Sequence, residues 1–189
     1  MLPLALKLEG LDVLVLGSGA VGTHKARQLL DAGARVHVIA SALLASPPEG
    51  LASLRVRAYE EGDLAGYVLV VSAVADTSVN DLIVREAKER GVWLNVVDDL
   101  ERSNFYFMAL VRRGDVCVAV TTEGASPALA QELRDRVADV VPTHVGEVAN
   151  ELRAERERLH DVGASTEGRD WRQRVRELLD VVSSQDLDA

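Results

Sequence analysis

The chain has 189 residues, 48% hydrophobic and 27% charged, enough for one domain with its own core and a smaller appendage. Only 4% are aromatic, so that core is aliphatic, and the formal net charge of -9 argues against nucleic acid or an anionic membrane as a principal partner. No apolar run is long enough to cross a bilayer. The single Cys117 allows no intramolecular disulfide, and Met1 to Leu16 lacks the basic start and small-residue cleavage site of a signal peptide. The expected location is the cytoplasm. His24, His37, His144 and His160 are scattered, so no metal site is expected.

Met1 to Leu11 reads as a mixed lead-in with room for a short edge strand. Val13-Leu14-Val15-Leu16 is a buried strand by composition, and a helical pattern follows with Gly22, Ala26, Leu29 and Leu30 on one face. Gly33 stands where that helix should stop, and Val36 to Ile39 completes a βαβ unit. Ser46-Pro47-Pro48-Glu49-Gly50 is a loop, Leu54 to Ala58 an alternating strand, and Tyr67 to Val74 a central parallel strand. Asp76 or Thr77 caps the next helix, whose expected buried stripe is Val79, Leu82, Ile83 and Ala87, with Gly91 at its end. Trp93 to Val97 is a further strand. Phe105 to Val111 and Val116 to Thr121 are two apolar runs that read as a hairpin or as a strand exchanged with a second subunit. Ser126-Pro127 starts a helix with Leu129, Leu133, Val137 and Val140 on one face, ended by Pro142. A helix from Val145, a linker over Val162 to Arg169 and a helix from Trp171 to Val182 follow. The pattern predicts an α/β chain, a mostly parallel sheet with helices on both faces, and later residues that pack on the first domain or on a partner, with an isologous dimer expected.

The glycines at 17, 19 and 22 have the spacing of a dinucleotide-binding turn between a strand and a helix. Gly17 permits the turn, Gly19 leaves room for a pyrophosphate, and Gly22 lets the helix pack on the strand. With Ser18, Ala20 and Val21 they form the expected phosphate cradle at a helix N-terminus. In parallel sheets the ligand lies beyond the carboxyl ends of the strands, so Ala73, Val74 and Asn95 also reach the site, and Asp98 falls near the place of a nicotinamide ring. A carboxylate there can accept a proton while a hydride leaves. The plainer reading is that Asp98 or Asp99 caps a turn. After the second strand, Ile39-Ala40-Ser41-Ala42 has neither an acidic residue for the ribose hydroxyls nor a cation for a 2′-phosphate, so Ser41 and backbone groups do this work and NAD against NADP stays open. The loop Thr121 to Pro127, with Gly124 and Ser126, holds a carboxylate or phosphate, or is simply a capped loop.

These segments together resemble the precorrin-2 dehydrogenase family, the N-terminal half of siroheme synthase, over roughly Leu2 to Arg153. The resemblance rests on Gly17 to Gly22 with Lys25-Ala26-Arg27, Leu30 to Ala34, Ala73 to Asn80, Asn95-Val96-Val97-Asp98, Phe105 to Gly114, Gly124 to Ala130, and Pro142 to Gly146. It implies a Rossmann-type NAD-binding domain over 1–111, a small α+β dimerisation segment over 112–146 and C-terminal helices over 147–189. It implies oxidation of precorrin-2 to sirohydrochlorin with NAD, toward siroheme or cobalamin, in a homodimer. It puts NAD contacts at Ala20, Val21, Ser41 and Ala42, makes Asp98 the acid–base residue, and places Ser126 in or near the tetrapyrrole pocket. Some members also insert ferrous iron into the product, and the residues do not separate that activity from dehydrogenation. The alternative reading is a non-catalytic NAD-sensing module, which commonly carries the acidic residue that is missing here. Met108, Val74 and Glu123 depart from the proline, threonine and glycine usual in the family.

Overall fold

Short runs of Val, Leu and Ile flanked by glycines become the inner strands of a sheet, because only a strand covered on both faces can bury every side chain of such a run. In the computed structural model, which describes residues 1–167 and 169–185, these are β1 (Asp12–Leu16), β2 (Arg35–Ala40) and β4 (Leu69–Ser72), with β3 (Ser53–Val56), half-exposed, and β5 (Trp93–Val96) as the two edges. The five strands are parallel in the order β3-β2-β1-β4-β5. Helix α1 (Ala20–Asp31) joins β1 to β2, and α2 (Thr77–Arg90) joins β4 to β5. The chain builds outward from β1 to β3, then returns to the other side of β1. Right-handed crossovers in opposite directions put the two helices on opposite faces, and the order reverses between β1 and β4. The expected α/β Rossmann-type architecture is the observed one.

The core of this first unit, Met1–Tyr106, gathers Leu14, Leu16, Ile39, Val70, Ile83, Leu94 and Val96 around the sheet. Asp76 caps α2 by accepting from the Ser78 and Val79 amides, and Gly91 ends it in the left-handed region. The expected buried stripe of α2 needs one correction. Leu82 is 41% exposed, and the buried positions are Asn80, Ile83, Glu86 and Ala87. Two polar residues take the inner face because both find partners there, as described below. No edge strand forms in the lead-in. Gly10 N–H donates to Gly33 C=O and Arg35 N–H to Leu11 C=O, tying the lead-in beside β2.

The second unit, Phe107–Ala189, opens with an antiparallel hairpin, β6 (Ala109–Arg113) and β7 (Val116–Val120). The two strands therefore pair within one chain, and Phe105 to Met108 stays outside them. The turn is Gly114-Asp115, with Gly114 at φ 56 as the first central residue of a II′-like turn requires. The unit begins at Phe107, ahead of the 111/112 boundary expected from the sequence; a cut at 111 would fall inside β6. Helix α3 (Pro127–Val140) packs on the hairpin, and α4 (Val145–Asp161) meets its turn through Gly146, where a Cβ would lie 2.7 Å from the Arg113 carbonyl oxygen. Arg153 reaches Asp115 at 2.7 Å across the same contact. Helix α5 (Trp171–Gln185) packs on α4 with Arg174 bridging Glu151 and Glu155. Among the described residues, nothing buries most of the expected apolar face of α3. Only Ala130 is buried, while Leu129, Leu133 and Val140 are exposed.

Candidate functional site

The site begins with three glycines that differ in what holds them glycine. Gly17 has φ 101, and a Cβ there would stand 2.8 Å from the Ala73 carbonyl oxygen. A Cβ on Gly22 would stand 2.3 Å from the Gly17 carbonyl oxygen and 3.4 Å from the Ala73 Cβ. Both are required by the joint of β1, α1 and β4. Gly19 is not: a Cβ there would have nothing within 4 Å, and its φ of -67 suits any residue. The fold leaves open space over Gly19, at the start of a helix with no side-chain cap and no acidic residue in its first turn. Exposed N–H groups and an unopposed helix dipole suit an anion, so these residues fit a dinucleotide pyrophosphate.

The neighbouring strand ends are bound into this turn. Gly17 N–H donates to Ile39 C=O and Ala73 N–H to Leu16 C=O, both at 2.8 Å. The buried Ser18 hydroxyl donates to Ala42 C=O at 2.6 Å and accepts from Leu44 N–H at 3.1 Å. Ser18 therefore folds the Ser41–Ala42 loop back against the glycine turn, with its hydroxyl turned to the protein. Ser41, Ala42, Ala20 and Val21 are exposed along the rim. Ala73 and Val74 are half-buried. The Ser72 hydroxyl donates to Asn80 Oδ1 at 2.7 Å, and Asn80 Nδ2 donates to Val74 C=O at 3.0 Å. Asn80 thus pins the end of β4.

Asp98 and Asp99, adjacent in the sequence, have different surroundings. Asp99 accepts from the Arg102 amide at 3.0 Å and pairs with the Arg102 guanidinium at 2.7 Å, and Arg102 also holds Asp81. The Arg102 hydrogen bonds hold the Asp99 carboxyl below its ordinary range. Asp99 is the turn-capping carboxylate. Asp98 sits at φ 59, a left-handed conformation that few non-glycine residues adopt, with an exposed side chain. Its turn is fixed to the β4 end by Val97 N–H donating to Ser72 C=O at 2.8 Å. The left-handed turn thus presents a carboxylate on the same rim as the glycine turn. Asn95 is 9% exposed and its amide donates to Phe105 C=O at 3.1 Å, so in this structure it joins β5 to the segment that follows.

A scan against family models matches residues 4–109 to a family described as "Putative NAD(P)-binding", more than half of the chain. The chain belongs to this NAD(P)-binding family. Residues 113–139 match the family described as "Sirohaem biosynthesis protein central". Among curated proteins, the chain is 40% identical over 162 residues to siroheme synthase of Methylococcus capsulatus, covering 84% of this chain and 34% of that protein. Siroheme synthase of Azotobacter vinelandii is 40% identical over 152 residues, 78% of this chain and 33% of that protein. The chain spans about a third of the length of the curated relatives it matches. The solved structure of SirC, precorrin-2 dehydrogenase, superposes with a TM-score of 0.72 at 24% identity, over 96% of this chain and 89% of that one, and shares the fold.

The second unit carries the other expected residues. Thr122 Oγ1 accepts from Ser126 N–H at 3.2 Å and donates to Ser126 C=O at 3.0 Å, while Ser126 Oγ accepts from Leu129 N–H at 3.1 Å as the N-cap of α3. Gly124 has φ 82 and Glu123 φ 52. The glycine usual at position 123 is the residue this backbone prefers, and Glu123 occupies it under strain. His37 bridges Asp12 at 2.7 Å and Ser53 at 2.8 Å, a structural tie across β1, β2 and β3. Among the described residues, no cluster of His, Cys, Asp or Glu could hold a metal ion, and no helix is long and apolar enough to cross a membrane.

Asn80, Arg102 and Glu86 carry no motif of their own in the sequence. The Glu86 side chain, 3% exposed, pairs with Arg90 at 2.7 Å and accepts from the Tyr59 hydroxyl and the Gly62 and Leu64 amides. Burial pushes its pKa up, but the Tyr59, Gly62, Arg90 and Leu64 hydrogen bonds together bring it below the ordinary value. Asn80 and Glu86 break the apolar stripe of α2 in the sequence, which was the available signal. Their partners lie far along the chain, out of reach of a pattern reading.

Proposed function

We propose that the protein is an NAD-dependent dehydrogenase that oxidises precorrin-2 to sirohydrochlorin, in the cytoplasm and on the route to siroheme. The observation that carries the reading is Asp98, held in a left-handed turn and locked to the β4 end, on the same strand-end rim as the open Gly19. The likeness to siroheme synthases supports the tetrapyrrole as substrate. In the proposed site, Gly17, Ser18, Gly19, Ala20, Val21 and Gly22 hold the pyrophosphate through backbone N–H groups. Ser41 and Ala42 take the adenosine ribose, and Ala73 and Val74 flank the nicotinamide end. The cofactor is taken as NAD because the family resemblance implies it; the end of β2 has neither an acidic residue nor a cation and favours neither NAD nor NADP.

The oxidation removes two hydrogens from precorrin-2. One leaves with the electrons of its bond as a hydride, the other leaves as a proton, and the electrons of the second bond close a new double bond. NAD, when bound, would supply the hydride acceptor. Asp98 takes the proton at a carboxylate oxygen and passes it to solvent, to which it is open. We assign Gly124, Ser126 and Asn95 to the substrate, Asn95 by fixing the segment after β5 and Ser126 through the hydroxyl proton left free by its capping role.

The working form is proposed to be a homodimer through residues 112–146. A two-stranded hairpin has unpaired edges, and the neighbouring face of α3 leaves Leu129, Leu133 and Val140 exposed. Sedimentation of a single monomeric species at micromolar concentration would overturn this part. The decisive assay is anaerobic incubation with precorrin-2 and NAD, following NADH absorbance and the sirohydrochlorin spectrum. Retained NAD binding with no turnover would favour the sensing module. Iron insertion is a second reading on the same residues, tested by adding ferrous iron to preformed sirohydrochlorin; a rate equal to the protein-free rate excludes it.

A further inference from the structure

Lys25 lies in α1 three residues beyond Gly22, so the two share a helix face. That face is turned to the end of β4, as the 3.4 Å approach of a Gly22 Cβ to Ala73 shows. Long helical side chains lean back toward the helix N-terminus, the end of α1 at which the glycine turn lies. The Asp98 turn is tied to the same point from β5, through Val97 N–H and the carbonyl of Ser72, the residue before Ala73. Two independent sets of contacts therefore bring the helix face that carries Lys25 and the turn that carries Asp98 to one strand end. The Lys25 ammonium is half-buried and donates to Gln28 Oε1 at 3.2 Å. Burial pushes its pKa down, and the Asp98 charge pulls it part of the way back. The other charges near Asp98 are matched among themselves, Asp99 and Asp81 with Arg102.

We propose that Lys25 is a positioning residue for Asp98, its ammonium acting as the carboxylate's counter-charge on the rim. This rests on the dehydrogenase reading above. The ligands of that reading are a pyrophosphate and a macrocycle rich in carboxylates, and each brings negative charge toward Asp98. A fixed cation behind the carboxylate offsets that repulsion and keeps Asp98 in one place as the ligands arrive. A half-buried cation does this better than a surface one, because less water screens it.

The test has two arms, both on the full chain. The chain has three lysines, Lys7, Lys25 and Lys88, so protein dimethylated with 13C at its amines gives a sparse spectrum, and the modification keeps the charge. The Lys25 signal should titrate below the ordinary lysine range, and Asp98→Asn should move it further down. An unmoved Lys25 titration overturns the pairing whatever the reaction is. In the second arm, Lys25→Met should lower kcat for precorrin-2 oxidation about 10- to 100-fold, the scale of a misplaced catalytic group, with the KM for NAD unchanged, and Lys25→Arg should recover most of it. A Lys25→Met enzyme with wild-type kcat overturns the role, as does a loss confined to the KM for NAD. Wild-type protein without turnover overturns the dehydrogenase reading instead, a different result from either.

Discussion

Alanine at Gly22 should act mainly on stability, and alanine at Gly19 mainly on binding. At Gly22 the added Cβ would sit 2.3 Å from the Gly17 carbonyl oxygen, nearly 1 Å inside contact distance, and the obstacle is backbone. The α1 start must move away from β1, an overpacking cost of about 3 kcal/mol at the upper end of such changes. Alanine regains about 1 kcal/mol of helix propensity, leaving a net loss of about 2 kcal/mol. For a chain of this size that is roughly 4–8 °C in Tm. At Gly19 the same Cβ meets nothing within 4 Å. The only structural cost is a poorer N-cap, below about 1 kcal/mol. Yet this Cβ enters the space assigned to the pyrophosphate, so Gly19→Ala should weaken NAD binding about tenfold or more, a loss near 1.4 kcal/mol. Thermal melts and calorimetric titration with NAD measure both quantities. Gly19→Ala with wild-type NAD affinity would remove the cofactor from the glycine turn. Gly22→Ala with wild-type stability would refute the packing argument.

Asp98→Ala should lower kcat about 100-fold or more, the range of a lost general base, with NAD affinity nearly intact; an active variant takes Asp98 out of the mechanism. Glu123→Gly should raise stability by about 1 kcal/mol by relieving its φ of 52, read as a higher denaturant midpoint, and no gain means that Glu123 compensates through its own contacts. Glu86→Gln should cost about 2 kcal/mol at pH 7, the scale of hydrogen bonds to a charged group. Because the folded Glu86 pKa is depressed, its contribution is present above the ordinary carboxylate range and is lost as pH falls through the folded value. The wild-type advantage in urea melts should therefore shrink below about pH 4, and a difference independent of pH would contradict the sign. Asn80→Ala should leave the Ser72 hydroxyl without its partner and cost about 1–3 kcal/mol, measured by the same melts.

Periodicity and turn chemistry are local, and they carried most of the architecture. The run Val13 to Leu16, the glycine spacing after it and the strand at Val36 to Ile39 could form only a βαβ unit, and its repetition through Tyr67, Asp76 and Trp93 required a parallel sheet. Caps were equally legible: Asp76, Gly91, Ser126 and Pro127 act at the positions where their side chains or backbones act in any helix. Leu82 lies outside the buried face of α2, although it follows the apolar spacing, because a helix face is assigned by its neighbours. Asn80 and Glu86 claim the inner face only once Ser72, Val74, Tyr59 and Arg90 are beside them.

Chain order therefore determined that a nucleotide-type turn exists, that a carboxylate pair follows the β5 strand, and that a hairpin and helix come after. Only the tertiary structure decided which glycine is spare, which aspartate is tied down, and which strand end receives both. Gly17 and Gly22 differ from Gly19 through Ala73, fifty residues and more along the chain, and Asp98 differs from Asp99 through one φ angle and Arg102. Those are distances between segments remote in sequence, and they exist only after the strands have found their order.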